Sequence, residues 1–215
     1  YSAALDAGGL TLASVQDDAP YTYAGANGKS VSNYDKRYRG FTTLREAITD
    51  SINIVTVKTL AQVGVSLGWQ YVQEYGFTTV DSRDMNEALA LGGITQGVSN
   101  LELTAAYAAI ANQGTYIKPK FYTKILDHDG NVLIDNTTPE SHTVIKDTTA
   151  WLLTSAMEDV MTSGTGTSAY FGSSMAQAGK SGTTTSSRDA LFAGYTPYYT
   201  CAVWGGYDDN AMQKG

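Results

Sequence analysis

Ala178-Gly179-Lys180-Ser181-Gly182-Thr183-Thr184 is the most chemically distinctive stretch of the chain. It holds one cation, two glycines and three hydroxyls, and it leads into apolar segments that read as strands. Small residues flank the lysine, and Gly182 lacks the Cβ that would keep another chain or a ligand off this backbone. A lysine followed by hydroxyls on a strand suits an anionic ligand, since it offers a point charge beside short donors. A phosphate-binding P-loop would need a glycine five residues before Gly179 and a helix after the lysine. Position 174 is Ser174 and the following residues are Thr-rich and strand-like, so that reading fails. A solvated lysine in a Gly/Ser/Thr loop is the alternative that this stretch alone leaves open.

Composition narrows the field. The 215 residues suffice for one domain or a large piece of one. The net charge of −7, without any block of like charges, argues against nucleic acid and against a polybasic membrane patch. No apolar run approaches ~20 residues, and no stretch among these residues reads as a signal peptide. The single cysteine, Cys201, lies in Thr200-Cys201-Ala202-Val203-Trp204 and reads as a buried strand residue. The two histidines make a poor zinc site, His128 falling in an Asp127-His128-Asp129-Gly130 turn, so neither metal nor cofactor is expected.

Residues 1–8 read as the end of a helix stopped by Gly8-Gly9, which suggests a chain entered mid-helix. Residues 10–41 read as loop, with Gly25 and Asn27-Gly28 among the markers. Thr43-Leu44-Arg45-Glu46 is a capping box opening a helix that Ser51-Ile52-Asn53 interrupts. A second helical stretch runs from Ile54 to Ala61 and ends at Gly64. A third covers residues 67–75 behind a Ser66 cap, and residues 86–97 are irregular. Ser99-Asn100-Leu101-Glu102 is a second capping box, with Leu103, Tyr107 and Ile110 as the apolar stripe behind it. Residues 122–126 and 132–134 form a hairpin around Asp129-Gly130. Asp147 caps a further helix with Trp151, Leu152, Met157, Val160 and Met161 on its buried side, ended by Ser163-Gly164-Thr165-Gly166. Residues 175–185, 190–195 and 199–207 are three consecutive antiparallel strands. Helices followed by a strand meander make an α+β protein, with residues 1–165 mainly helical and 166–215 supplying the sheet.

These phrases together resemble the transpeptidase domain of class A penicillin-binding proteins. The resemblance runs through Ala3-Ala4-Leu5-Asp6, Asp17-Asp18-Ala19-Pro20, Asn33-Tyr34-Asp35, Tyr38-Arg39-Gly40 and Thr43-Leu44-Arg45-Glu46-Ala47. It continues through Ser51-Ile52-Asn53, Ala90-Leu91-Gly92-Gly93, Gly97-Val98, Leu101-Glu102-Leu103 and Gly164-Thr165-Gly166. Gly179-Lys180-Ser181-Gly182-Thr183-Thr184, Arg188-Asp189-Ala190, Gly194-Tyr195-Thr196-Pro197, Ala202-Val203-Trp204 and Gly206-Tyr207-Asp208-Asp209 complete it. Penicillin-recognising serine acyltransferases join a Lys-Ser/Thr-Gly strand to a Ser-x-x-Lys and a Ser-x-Asn-type element. Two departures stand out. Ser181 replaces the family's usual threonine, keeping the hydroxyl and losing a methyl. No serine has a lysine three positions later; Thr115-x-x-Lys118 and Thr143-x-x-Lys146 have the spacing with threonine.

The resemblance implies a penicillin-binding, serine β-lactamase-like fold, incomplete at both ends. The nucleophile motif would lie just before residue 1, and a closing helix would follow the last strand. It implies acyl transfer on peptidoglycan stem peptides ending in D-Ala-D-Ala, acylation by β-lactams, and a place on the extracytoplasmic face of a bacterial membrane. Ser51 would relay a proton, Asn53 would hold the substrate amide, and Lys180 would tune Ser51 and attract a carboxylate. Ser181, Gly182, Thr183 and, with less claim, Thr184 would line the ligand, while the Thr183 N–H forms half of an oxyanion hole. Gly164-Thr165-Gly166 would shape the rim, and Arg188 and Asp189 would pair structurally. A serine β-lactamase and a non-catalytic stem-peptide or β-lactam-binding module are the alternatives.

Overall fold

A computed structural model describes residues 1–24, 29–172 and 174–213, so the Gly25 and Asn27-Gly28 loop markers lie outside the described residues. The chain is α+β, as the order of its elements requires. Helix α1 (Ser2–Asp6) is followed by four short strands, β1 (Val15–Asp18), β2 (Tyr21–Thr22), β3 (Ser30–Val31) and β4 (Gly40–Thr43). Helices α2 (Leu44–Thr49), α3 (Asn53–Val63), α4 (Val65–Glu74) and α5 (Asn100–Ala111) form the next block. Then come β5 (Thr115–Ile117), β6 (Lys124–Leu126), β7 (Val132–Asp135), β8 (Ser141–Thr143) and α6 (Asp147–Thr162). The chain closes with β9 (Ala178–Thr183), β10 (Asp189–Tyr195) and β11 (Thr200–Gly206).

Local chemistry accounts for the helix starts. Thr43 accepts from the Glu46 N–H while Glu46 accepts from the Thr43 N–H, and Ser99 and Glu102 repeat the arrangement. Each box satisfies two donors that the first turn would leave orphaned. The start of α4 differs from expectation: its N-cap is Gly64, at φ 95°, rather than Ser66. Only glycine takes that backbone without strain, so Gly64 ends α3 and begins α4 in one residue. Lys146 occupies the N-cap of α6 without a side-chain capping bond, and Asp147 is instead its first helical residue.

The C-terminal strands pair antiparallel in the order β11-β10-β9, and β9 is shorter than residues 175–185. The segment 10–41 is not merely loop. β1 pairs with β4 and β2 with β3, both antiparallel. These ribbons are fastened by Asp18, which is fully buried. Asn33 Nδ2 donates to both of its oxygens (2.8 and 3.0 Å), and the Arg39 N–H donates at 2.9 Å.

The main core lies between α5, α6 and the sheet. It includes Ala105, Ala106, Ala109, Leu153, Ala156, Val160 and Ala178. Leu103, Tyr107 and Ile110 are only half-buried, because the α5 alanines make the closest approach. Trp151 corrects the expected face of α6: it is 68 % exposed, and Leu153 takes the inward position. Cys201 is exposed, since alternation along β11 turns its neighbour Ala202 inward instead. Arg188 and Asp189 bond elsewhere rather than to each other. The Arg188 guanidinium donates to the Asn210 carbonyl, whereas Asp189 accepts from Thr184 (3.0 Å) and from the Trp204 indole (2.9 Å).

Candidate active site

Ser51 sits where α2 ends and α3 begins. Asp50 closes α2, the Ile52 N–H returns to the Ala47 carbonyl at 2.9 Å, and Ile52 is wholly buried. That anchor forces Ser51 between them into the left-handed region at φ 57° and leaves its hydroxyl facing a cleft. Asn53 opens α3 and donates from Nδ2 to the Ser32 carbonyl at 3.0 Å, which fixes its amide at the same rim.

The opposing wall is β9. Lys180 Nζ donates to Ser51 Oγ at 2.8 Å and to the Ser181 carbonyl at 3.1 Å. Burial disfavours its charged form and brings its pKa from 10.5 down to about 8. The cleft measures about 420 Å³ and takes in Ser51, Asn53, Lys180, Ser181, Gly182 and Thr183. Its described lining includes no acidic residue, so Lys180 sets the sign of the field. Thr184 lies outside the lining; its hydroxyl is engaged with Asp189 across the turn.

Main-chain alternation adds donors. The Thr184 N–H bonds the Asp189 carbonyl, so pairing with β10 recurs at Gly182 and Lys180. The N–H and C=O groups of Ser181 and Thr183 therefore point away from β10, along the free edge of β9 that faces the cleft. The bond from Lys180 to the Ser181 carbonyl agrees with this placement.

Two supports hold the walls in register. The Arg45 guanidinium on α2 donates to Asp159 (2.6 Å) and to Ser155 (3.2 Å) on α6, the helix that packs beneath β9. The Thr165 hydroxyl bonds the Ser181 hydroxyl at 2.8 Å. The Gly164-Thr165-Gly166 phrase by itself points only to the rim of the cleft. The partner of Thr165 lies on a separate strand, with no local pattern to announce it. No group of three or more His, Cys, Asp or Glu able to hold a metal ion occurs among the described residues.

A lysine and serine in contact across a cleft, facing a hydroxyl-bearing strand edge, form a constellation suited to acyl transfer to or from serine. A family model described as the penicillin binding protein transpeptidase domain matches residues 1–207, and the chain belongs to that family. Penicillin-binding protein 1F of Bacillus subtilis is 41 % identical over 182 residues, covering 82 % of this chain and 25 % of that protein. Penicillin-binding protein 1A of Clostridium botulinum is 34 % identical over 226 residues, covering 100 % of this chain and 27 % of its own length. The chain thus spans about a quarter of these curated relatives. Among solved structures, penicillin-binding protein 1A from Haemophilus influenzae superposes with a TM-score of 0.86 at 27 % identity, covering 98 % of this chain and 37 % of that one.

Proposed function

We propose that this chain forms one side of a serine acyl-transfer site that cross-links peptidoglycan stem peptides ending in D-Ala-D-Ala and is acylated by β-lactams. The observation that carries the reading is the 2.8 Å bond from Lys180 Nζ to Ser51 Oγ, beside the free edge of β9. In such a reaction a serine oxygen attacks the carbonyl between the last two D-alanines. The C–N bond breaks, D-alanine leaves with an added proton on nitrogen, and an amine of a neighbouring strand then takes the acyl group and restores the hydroxyl.

The residues divide the work. While Lys180 donates to Ser51 Oγ, the Ser51 proton is free for the departing nitrogen, and general acid catalysis of this kind contributes about 100- to 10,000-fold. Lys180 also attracts the terminal carboxylate, which Ser181 and Thr183 receive with their hydroxyls. The Thr183 N–H stabilises the oxyanion, and Asn53 orients the acyl part. The attacking serine comes from outside residues 1–215 in this proposal, because no serine here precedes a lysine by three positions. Tyr1 and Ser2 line the same cleft as Ser51 and Lys180. The family's relatives further support a location outside the cytoplasm, with the site facing the cell wall.

The test is the denatured intact mass of the full-length protein with and without benzylpenicillin, followed by peptide mapping. One penicillin should add, on a peptide outside residues 1–215, and Lys180→Met or Ser51→Ala should slow its addition about 100-fold or more. An adduct on a serine of this chain, or a wild-type rate in Lys180→Met, would refute the assignment. Rapid release of the adduct would favour a β-lactamase instead.

A further inference from the structure

The turn that follows α6 touches both walls of the cleft. Its Gly164 N–H bonds the Asp159 carbonyl at 3.0 Å, its Thr165 N–H bonds the Thr49 carbonyl at 3.3 Å, and its Gly166 N–H bonds the Val160 carbonyl at 2.9 Å. The approach to α2 is close enough that a Cβ on Gly164 would lie 2.2 Å from the Thr49 oxygen. Thr49 is two residues before Ser51. From this platform Thr165 reaches β9 and bonds the Ser181 hydroxyl at 2.8 Å. A closed circuit results: Ser51 to Lys180, along the backbone to Ser181, across to Thr165, and back through Thr49 to Ser51.

The direction of the hydroxyl–hydroxyl bond matters. Ser181 has one proton, and it can give that proton to an anion in the cleft only if it accepts from Thr165. Two hydroxyls in sequence polarise each other, so the outer donor strengthens the inner one. A serine also needs this help more than a threonine would. Threonine is stiff at χ1, whereas the Ser181 hydroxyl can visit three staggered wells unless something outside the residue selects one.

We propose that Thr165 is a positioning residue for carboxylate recognition: its hydroxyl donates to Ser181 and directs the Ser181 proton toward the carboxylate that enters beside Lys180. The inference rests on the proposed function, in which Ser181 receives a carboxylate.

The experiment uses the full-length protein and measures acylation by benzylpenicillin and by its methyl ester. The reversible binding constant is resolved from the first-order acylation step. Thr165→Val, which keeps shape and removes the hydroxyl, should weaken reversible binding of the acid about 3- to 10-fold, the worth of one hydrogen bond. Binding of the ester and the first-order step should both stay near wild type. Thr165→Ser should restore the acid, and Ser181→Thr added to Thr165→Val should recover part of the loss by locking χ1. If wild type prefers the acid but Thr165→Val keeps that preference in full, or weakens acid and ester alike, the inference falls while the carboxylate reading stands. If wild type treats acid and ester alike, the carboxylate reading falls and takes this inference with it.

Discussion

Replacing Lys180 with methionine should raise stability at neutral pH, and the gain should vanish as the solution becomes alkaline. The lysine is largely buried, and its pKa falls from 10.5 in the unfolded chain to about 8 in the fold. Below pH 8 the side chain is charged in both states, so the folded protein carries the cost of holding a desolvated ammonium. Above pH 8 the folded state sheds the proton first, and the unfolded state binds more protons until about pH 10.5. Wild-type stability therefore rises with pH across that window relative to a variant that cannot titrate. At 1.36 kcal/mol per pKa unit, about 2 to 3 kcal/mol should be recovered between pH 7 and pH 10. Urea unfolding of wild type and Lys180→Met at several pH values isolates the effect, because every tyrosine and surface lysine is common to both. A difference that stays flat with pH would mean the ammonium is solvated and the close Ser51 contact does not confine it.

Further outcomes follow from the packing. Gly164→Ala would push a methyl to within 2.2 Å of the Thr49 oxygen and 2.9 Å of Val160 Cα, both backbone atoms. It should cost about 1–3 kcal/mol in a denaturant titration, and unchanged stability would show that the turn is not pressed against α2. Thr43→Ala removes the hydroxyl that accepts from the Glu46 N–H. It should cost about 1 kcal/mol, with Thr43→Ser close to wild type; equal losses in both would assign the effect to something other than the cap.

What could be read from the sequence depended on how far each cause reaches along the chain. Thr43 and Glu46, or Ser99 and Glu102, declare a helix start within four residues, and both starts are where the motifs put them. Ser51 and Lys180 are 129 positions apart. No periodicity joins them, and only the resemblance to a family placed them together. The ribbons within residues 10–41 escaped because their cement is a buried carboxylate, Asp18, bonded to Asn33 and to the Arg39 backbone. An aspartate in a strand ordinarily argues against the strand. Trp151 and Cys201 show the limit of reading burial from residue type: both are apolar, and both occupy outward positions on their elements. Thr165 was visible as part of a glycine-flanked turn, but its contact with Ser181 exists only once α6 and β9 have packed.

The backbone at Ser51 makes the two key hydroxyl positions unequal in what they tolerate. At φ 57° a side chain branched at Cβ collides with its own main chain, so threonine cannot substitute there without distorting the helix junction. Position 181 lies in an extended strand that accepts either hydroxyl-bearing residue. Interchange of serine and threonine, which a similarity matrix scores alike everywhere, is therefore forbidden at one wall of the cleft and free at the other. Ser51→Thr should behave as a loss of function despite keeping its hydroxyl, whereas the chemically identical change at Ser181 leaves the site intact.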